Sequence, residues 1–243
     1  AKGVVRREVV QLITPGTVMN GKGLQERENN YLASVTAFPS KFGFAVTDLS
    51  TGENQVTLLN HIDEIINEVY SLGAKELVVH PDFPESYIKK IAEKSRVTVS
   101  FEIDAGTEKF EAIIDHLEDV RLKETFGRLH NYLQKTQKRS LDHLQKVKVY
   151  QLQDFMKIDL YSKRNLELTE TIRSKGKKGS LLWLLDETKT AMGARMLKQW
   201  IDRPLLSKNE IKSRLQMVQS LLDHYFERED LRERLKEVYD LER

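Results

Sequence analysis

The chain has 243 residues, with 39 Lys and Arg against 37 Asp and Glu, 40% hydrophobic residues and no cysteine. That balance supports one or two packed domains rather than disorder. It excludes disulfides, thiolate metal sites and a cysteine nucleophile.

The opening residues, Ala1-Lys2-Gly3-Val4-Val5-Arg6-Arg7, lack the apolar core of a signal peptide. No apolar run approaches the roughly 18 residues of a membrane span. A cytoplasmic location is expected. The chain starts on Ala1, and Val238 to Arg243 continue an amphipathic pattern without a stop signal. Both features are expected of a piece of a longer protein.

Glu8 to Ile13 reads as a strand, ended by the turn residues Thr14-Pro15-Gly16-Thr17, and Asn20-Gly21-Lys22-Gly23 as a loop. Tyr31 to Thr36 is a strand. Phe42, Phe44 and Val46 alternate with small residues, and Ser50-Thr51-Gly52-Glu53 turns the chain into Gln55 to Leu59, which predicts an antiparallel hairpin. From His61 to Leu72, Ile62, Ile65, Ile66 and Val69 share one helical face, with Gly73 as the stop. Glu76 to His80 is a strand. Pro84 to Lys94 is a helix with Tyr87, Ile88 and Ile91 inward, and Val97 to Phe101 is a final strand. Strands alternating with helices predict a mixed α/β sheet flanked by helices.

Beyond about Glu108 a helical period dominates. Phe110, Ile113, Ile114 and Leu117 form one stripe, and Leu122, Phe126, Leu129 and Leu133 another. Met156 to Leu160 is a short β-like interruption, and Lys175-Gly176-Lys177-Lys178-Gly179 a loop. Ser180 to Leu185 and Met192 to Trp200 are helical, with Trp183, Leu184, Met192, Leu197 and Trp200 in the core. Ser207-Lys208-Asn209-Glu210 is a capping box that opens a helix with Ile211, Leu215, Val218, Leu222 and Tyr225 as its buried stripe. Residues 1–116 carry 12 basic and 17 acidic residues, and residues 117–243 carry 27 and 20. The asymmetry places a boundary between an α/β domain, 1–116, and an all-α domain, 117–243.

Chemical constellations are few. There is no phosphate-binding G-x-x-x-x-G-K-[ST] loop, no G-x-S-x-G and no H-E-x-x-H. His61, His80, His116, His130, His143 and His224 are scattered, with no two at zinc-ligand spacing along a helix. Asp48, Asp82 and a helix carboxylate, Glu64 or Glu68, are the one set that could converge on two divalent ions in a ribonuclease H-like nuclease. Against it, Asp48 and Asp82 are ordinary turn residues, and Glu64 and Glu68 suit a solvated helix face. Lys135, Lys138, Arg139, Lys146, Lys148, Lys175, Lys177 and Lys178 could meet phosphates of nucleic acid. No aromatic residues alternate with them as stacking platforms, so a solvated surface is the simpler reading.

Three segments resemble the connector domain of the MutS family of bacterial DNA mismatch repair proteins: Arg7 to Val10 with Thr14-Pro15-Gly16-Thr17, Asn29-Asn30-Tyr31-Leu32-Ala33, and Asp48-Leu49-Ser50-Thr51-Gly52-Glu53. Five more resemble its core, or lever, domain: Thr136-Gln137-Lys138-Arg139, Arg164-Asn165-Leu166-Glu167-Leu168, Ser180 to Asp186, Thr188 to Arg195, and Trp200 to Leu205. The final Tyr239-Asp240-Leu241-Glu242-Arg243 fits as well. The resemblance is colinear and covers nearly the whole chain. It implies a ribonuclease H-like connector followed by part of a helical core. It further implies a non-catalytic scaffold that relays between a mismatch-binding domain and an ATPase domain, both lying outside this sequence. Mismatched duplex DNA and a MutL-like protein are the implied partners of the parent, ATP and Mg²⁺ its cofactors, and a homodimer its assembly; the piece itself is expected to be monomeric. No catalytic, cofactor-binding or metal-binding residue is assigned within the chain. Asp186 and Arg195 are expected to cap or pair with neighbouring segments and so fix helix packing.

Overall fold

A computed structural model describes residues 14–16, 27–137 and 141–242. The expected strand Glu8 to Ile13, the loop at Asn20 and the basic residues Lys138 and Arg139 lie outside them. Two compact units emerge, one of residues 1–24 and 30–149, the other of residues 25–29 and 150–243.

The first unit is built on six strands in the order β5-β4-β1-β2-β3-β6. They are β1 (Tyr31–Ala37), β2 (Phe42–Asp48), β3 (Asn54–Leu59), β4 (Glu76–Val79), β5 (Thr98–Phe101) and β6 (Lys148–Val149). β1, β2 and β3 form an antiparallel meander, while β4 runs parallel to β1 and β5 parallel to β4. The β2–β3 turn closes where Asp48 N donates to Glu53 O and Gly52 N to Asp48 O, at 2.9 and 2.8 Å. Gly52 sits there at φ +75°, and a Cβ on it would meet the backbone of His143.

Side chains alternate across the sheet, and both faces are covered. Helices α1 (Ile62–Leu72) and α2 (Glu85–Ser95) follow β3 and β4 and supply Ile65, Ile66, Val69 and Ile91 as buried residues. Gly73 ends α1 in the left-handed conformation as the sequence predicts. The other face carries α3 (Glu111–Ile114) and the 18-residue α4 (Val120–Gln137). Phe126, Leu129 and Leu133 of α4 are wholly buried against Leu32, Ala45, Val56 and Val78 of the strands. At β2 the helix comes so close that a Cβ on Gly43 would run into Thr125 Oγ1.

The sequence places a boundary after residue 116; the compact unit that holds the sheet runs on to Val149. The stripe of Leu122, Phe126, Leu129 and Leu133 does form a helix, but that helix covers the sheet rather than joining a helical domain. β6, which the sequence did not announce, then pairs with β3, and Asn54 Nδ2 donates to Gln145 O at 2.6 Å to hold the approach.

In the second unit Asp159 caps α5 (Leu160–Asn165), Ser180 caps α6 (Leu181–Leu185) and Thr190 caps α7 (Ala191–Asp202). Ser207 accepts from Glu210 N and opens α8 (Lys208–Asp223), and α9 (Tyr225–Leu235) follows. The β-like stretch expected at Met156 to Leu160 reduces to one bridge between Phe155 and Leu205, with Met156 N donating to Pro204 O at 2.8 Å. Leu160 is already helical because the Asp159 cap starts α5 there.

The expected core of this unit needs correction. Trp183, Leu184 and Trp200 are exposed, Met192 and Leu197 only half-buried, and the buried residues among those described are Leu160, Lys163, Ser180, Leu182, Ala194 and Arg195. The stripe of Ile211, Leu215, Val218 and Leu222 on α8 is likewise exposed, as is Tyr225, which begins α9 rather than ending α8. An amphipathic period reports which face a helix would bury, and burial needs an opposing surface. Nor does the helical pattern run to the end of the chain: α9 stops at Leu235, and Val238–Asp240 is irregular. Among the described residues no helix is long and apolar enough to cross a membrane.

Candidate functional site

The acidic set is the first to test. Asp48 is wholly buried at the end of β2, and its carboxylate faces the start of the β2–β3 turn. Oδ1 accepts from Asn30 N and Ser50 N, both at 3.0 Å, and from Ser50 Oγ at 2.6 Å; Oδ2 accepts from Thr51 Oγ1 at 3.0 Å. These are the bonds of a turn-forming aspartate. Asp82 is 91% exposed in its side chain and lies 3.4 Å from His80 Nδ1. The register places the two apart. Asp48 stands opposite Tyr31 at the start of β1, whereas Val79, which precedes Asp82, stands opposite Val35 near its end. Four residues of strand amount to about 13 Å, while a two-metal centre holds its ions about 3.5–4 Å apart. Glu64 accepts from Asn60 N at 2.8 Å and so serves the start of α1; Glu68 is buried on that helix. The structure does not bring these four carboxylates together.

Four of the basic candidates meet carboxylates. Lys135 lies 2.7 Å from Glu102, Lys146 is 3.4 Å from Asp115 and Lys148 is 3.2 Å from Glu53. Lys177 pairs with Asp186. Each pairing lowers the local positive potential that phosphate binding exploits. Of the histidines, His116 Nε2 meets Val147 O at 2.6 Å, and His130 is buried with its ring 3.9 Å from that of Phe110. Burial, with Lys109 nearby, pushes His130 down to about 4, so the ring is neutral at pH 7.

The strongest polar centres are structural. Arg195 on α7 is 2% exposed, and its guanidinium forks onto Asp240, with Nη1 to Oδ2 at 2.7 Å and Nη2 to Oδ1 at 2.8 Å. Nη2 also donates to Glu242 Oε2 at 2.6 Å. The planar fork suits this bidentate grip in a way an ammonium cannot. Hydrogen bonding to Asp240, partly opposed by burial and reinforced by Glu242, raises the Arg195 pKa above its ordinary value. The clamp ties the middle of the helical unit to the irregular segment after α9. Both anchoring carboxylates belong to the terminal Tyr-Asp-Leu-Glu-Arg run of the sequence.

Asp186 forms a second centre, with its side chain 3% exposed. Burial alone would raise its pKa. Donation from Lys177 and from Thr188 Oγ1 and N, with the charge of Arg27, outweighs it and holds the carboxyl at about 2. Lys163 donates to Asp202 O at 2.9 Å in a further buried pair, and burial raises the carboxyl of Asp202.

Sequence reasoning passed over Glu76. This wholly buried residue accepts from Thr14 Oγ1, Ser100 Oγ and Tyr132 Oη, each at 2.5 Å, and from Gly16 N at 3.0 Å. Its signal in the sequence is a carboxylate opening an otherwise apolar strand, Glu-Leu-Val-Val. It sits in a packed interface under α4 and gathers neutral donors, the arrangement of a satisfied buried acid.

Comparison with known proteins fits this division. The MutS domain II family matches residues 30–145, nearly the extent of the sheet unit, and the MutS domain III family matches residues 162–243. The chain is 63% identical over 245 residues to the DNA mismatch repair protein MutS of Geobacillus sp. (strain WCH70). It is 61% identical over 243 residues to that of Bacillus subtilis (strain 168) and 55% identical over 246 residues to that of Bacillus cereus (strain G9842). Each match covers 100% of this chain and 28% of the relative. Two consecutive domain families, in order and on the two units the fold separates, with identity from end to end, place this chain in the MutS family.

Proposed function

We propose that the chain is the connector and core portion of a DNA mismatch recognition protein and performs no chemistry itself. In this reading the sheet unit and the helical unit relay between a mismatch-binding part and an ATPase part, and the sheet unit offers a docking surface to a MutL-like partner. Mismatched duplex DNA is the substrate of the whole, ATP and Mg²⁺ serve its ATPase part, and the whole works as a homodimer in the cytoplasm. The observation that carries the reading is the Arg195 clamp. A buried guanidinium with three charge-assisted bonds spans 45 residues of sequence to reach Asp240. A stiff junction of this kind is what a relay needs if a shift at one end is to reach the other. The separation of Asp48 from Asp82 removes the geometric basis for the nuclease alternative.

The test uses the full-length Bacillus subtilis relative, carrying methionine at the position matching Arg195. Basal ATP hydrolysis is expected to persist, while its response to a mismatched duplex falls about tenfold, the scale of a typical coupling energy. An unchanged response, with basal turnover intact, overturns the relay reading.

A further inference from the structure

We propose that Asp186 is a socket that fastens the segment 27–29 to the helical unit and can release it without losing its own fold. That segment belongs to the second unit, whereas Asn30 begins the long run of the first. Arg27 makes the attachment. Its Nη2 donates to Asp186 Oδ1 at 3.0 Å, to Thr188 Oγ1 at 2.5 Å and to Thr188 O at 3.3 Å, across 159 to 161 residues of sequence.

The two ends of this contact differ in kind. Asp186 is 3% exposed and Arg27 is 46% exposed. With Arg27 withdrawn, the carboxylate keeps Thr188 N at 3.2 Å, Thr188 Oγ1 at 2.5 Å and Lys177 Nζ. A buried acid stripped of all its donors would be costly; this one retains three, so release does not strand it. Water and salt reach the guanidinium directly, which makes it the yielding side.

The experiment is limited proteolysis of the intact 243-residue chain with trypsin, which cuts after residue 27. Cleavage there is followed by mass spectrometry for the unsubstituted chain, Asp186→Asn, Arg27→Lys and Lys177→Met. Because cleavage under native conditions follows the open population, Asp186→Asn and Arg27→Lys are expected to be cut about tenfold faster. Lys177→Met, which leaves the Arg27 contacts in place, should stay within about twofold, and 1 M NaCl should speed cleavage of the unsubstituted chain. If Asp186→Asn loses helical circular dichroism, Arg27→Lys decides the matter, since the exposed strap is all it alters. Equal cleavage of Arg27→Lys and the unsubstituted chain, after allowance for trypsin's preference between Arg and Lys in an unfolded peptide, overturns the proposal.

Discussion

Tyr132 of α4 donates its hydroxyl to Glu76 of β4 at 2.5 Å, although 56 residues separate them. The same carboxylate takes Thr14, Gly16 and Ser100. One acid therefore joins the first described residues, two strands and the helix that covers them.

Tyr132→Phe removes the donor that α4 contributes to that acid. A hydrogen bond to a carboxylate contributes about 1.5–3 kcal/mol, and urea unfolding at pH 7 should show a loss of that order. Burial, aided by the bond to Glu76, pushes the phenol up to about 12. Between pH 10 and 12 the unfolded chain gives up this proton while the native one keeps it. The contribution is therefore complete below pH 10 and disappears as pH climbs toward 12. Tyr132→Phe should flatten that part of the alkaline stability curve, and an unchanged curve would contradict the assignment.

His130 should act at the other end of the pH scale. Its native value of about 4 lies below the ordinary 6.5, so the native state favours the neutral ring. The stabilisation is present above pH 6.5 and is lost as pH falls through 4, amounting to at most about 3 kcal/mol. His130→Phe keeps a ring against Phe110 and carries no titration. Denaturant unfolding at pH 7, 5 and 4 should show the difference between the two proteins growing with acid.

Breaking the Arg195 clamp should be the most damaging single change in the helical unit. Arg195→Met removes the three bonds to Asp240 and Glu242 and should cost about 3 kcal/mol. Asp240→Asn, on the more exposed side, should cost less, about 2 kcal/mol. Amide exchange in residues 236–242 should quicken in both. Exchange as slow as in the unsubstituted chain would show that the segment is held by other means.

Incubation with Mg²⁺ or Mn²⁺ and labelled DNA or RNA should give no cleavage. Asp48→Asn should instead lower stability by about 2–3 kcal/mol, because an amide turns two donors toward the backbone and hydroxyl donors the carboxylate now accepts. Metal-dependent cleavage that disappears in Asp48→Asn would overturn the non-catalytic reading.

Local rules carried much of the fold. Gly73 ends α1, Gly52 turns β2 into β3, and Ser180 and Ser207 cap their helices, because caps and turns depend on a few adjacent residues. Family membership was legible for the same reason, carried by short motifs such as Asn165-Leu166-Glu167-Leu168 and Thr188 to Arg195. The candidate centres were legible only as residue types. Arg195, Asp186 and the terminal Asp240 and Glu242 stood in quoted motifs, but nothing local shows that Arg195 reaches Asp240 and that Asp186 takes Arg27.

From the amino-acid order alone came the strands of the meander, the helical stripes, the lack of a phosphate loop and the kinship with mismatch repair proteins. Only the tertiary structure decided that α4 covers the sheet, that Asp48 and Asp82 stand at opposite ends of it, and that the apolar stripe of α8 is exposed. Periodicity is a property of neighbours along the chain, whereas burial, register and ion pairing depend on residues that meet across 45 to 160 positions, where many partners satisfy the same local pattern and packing selects one.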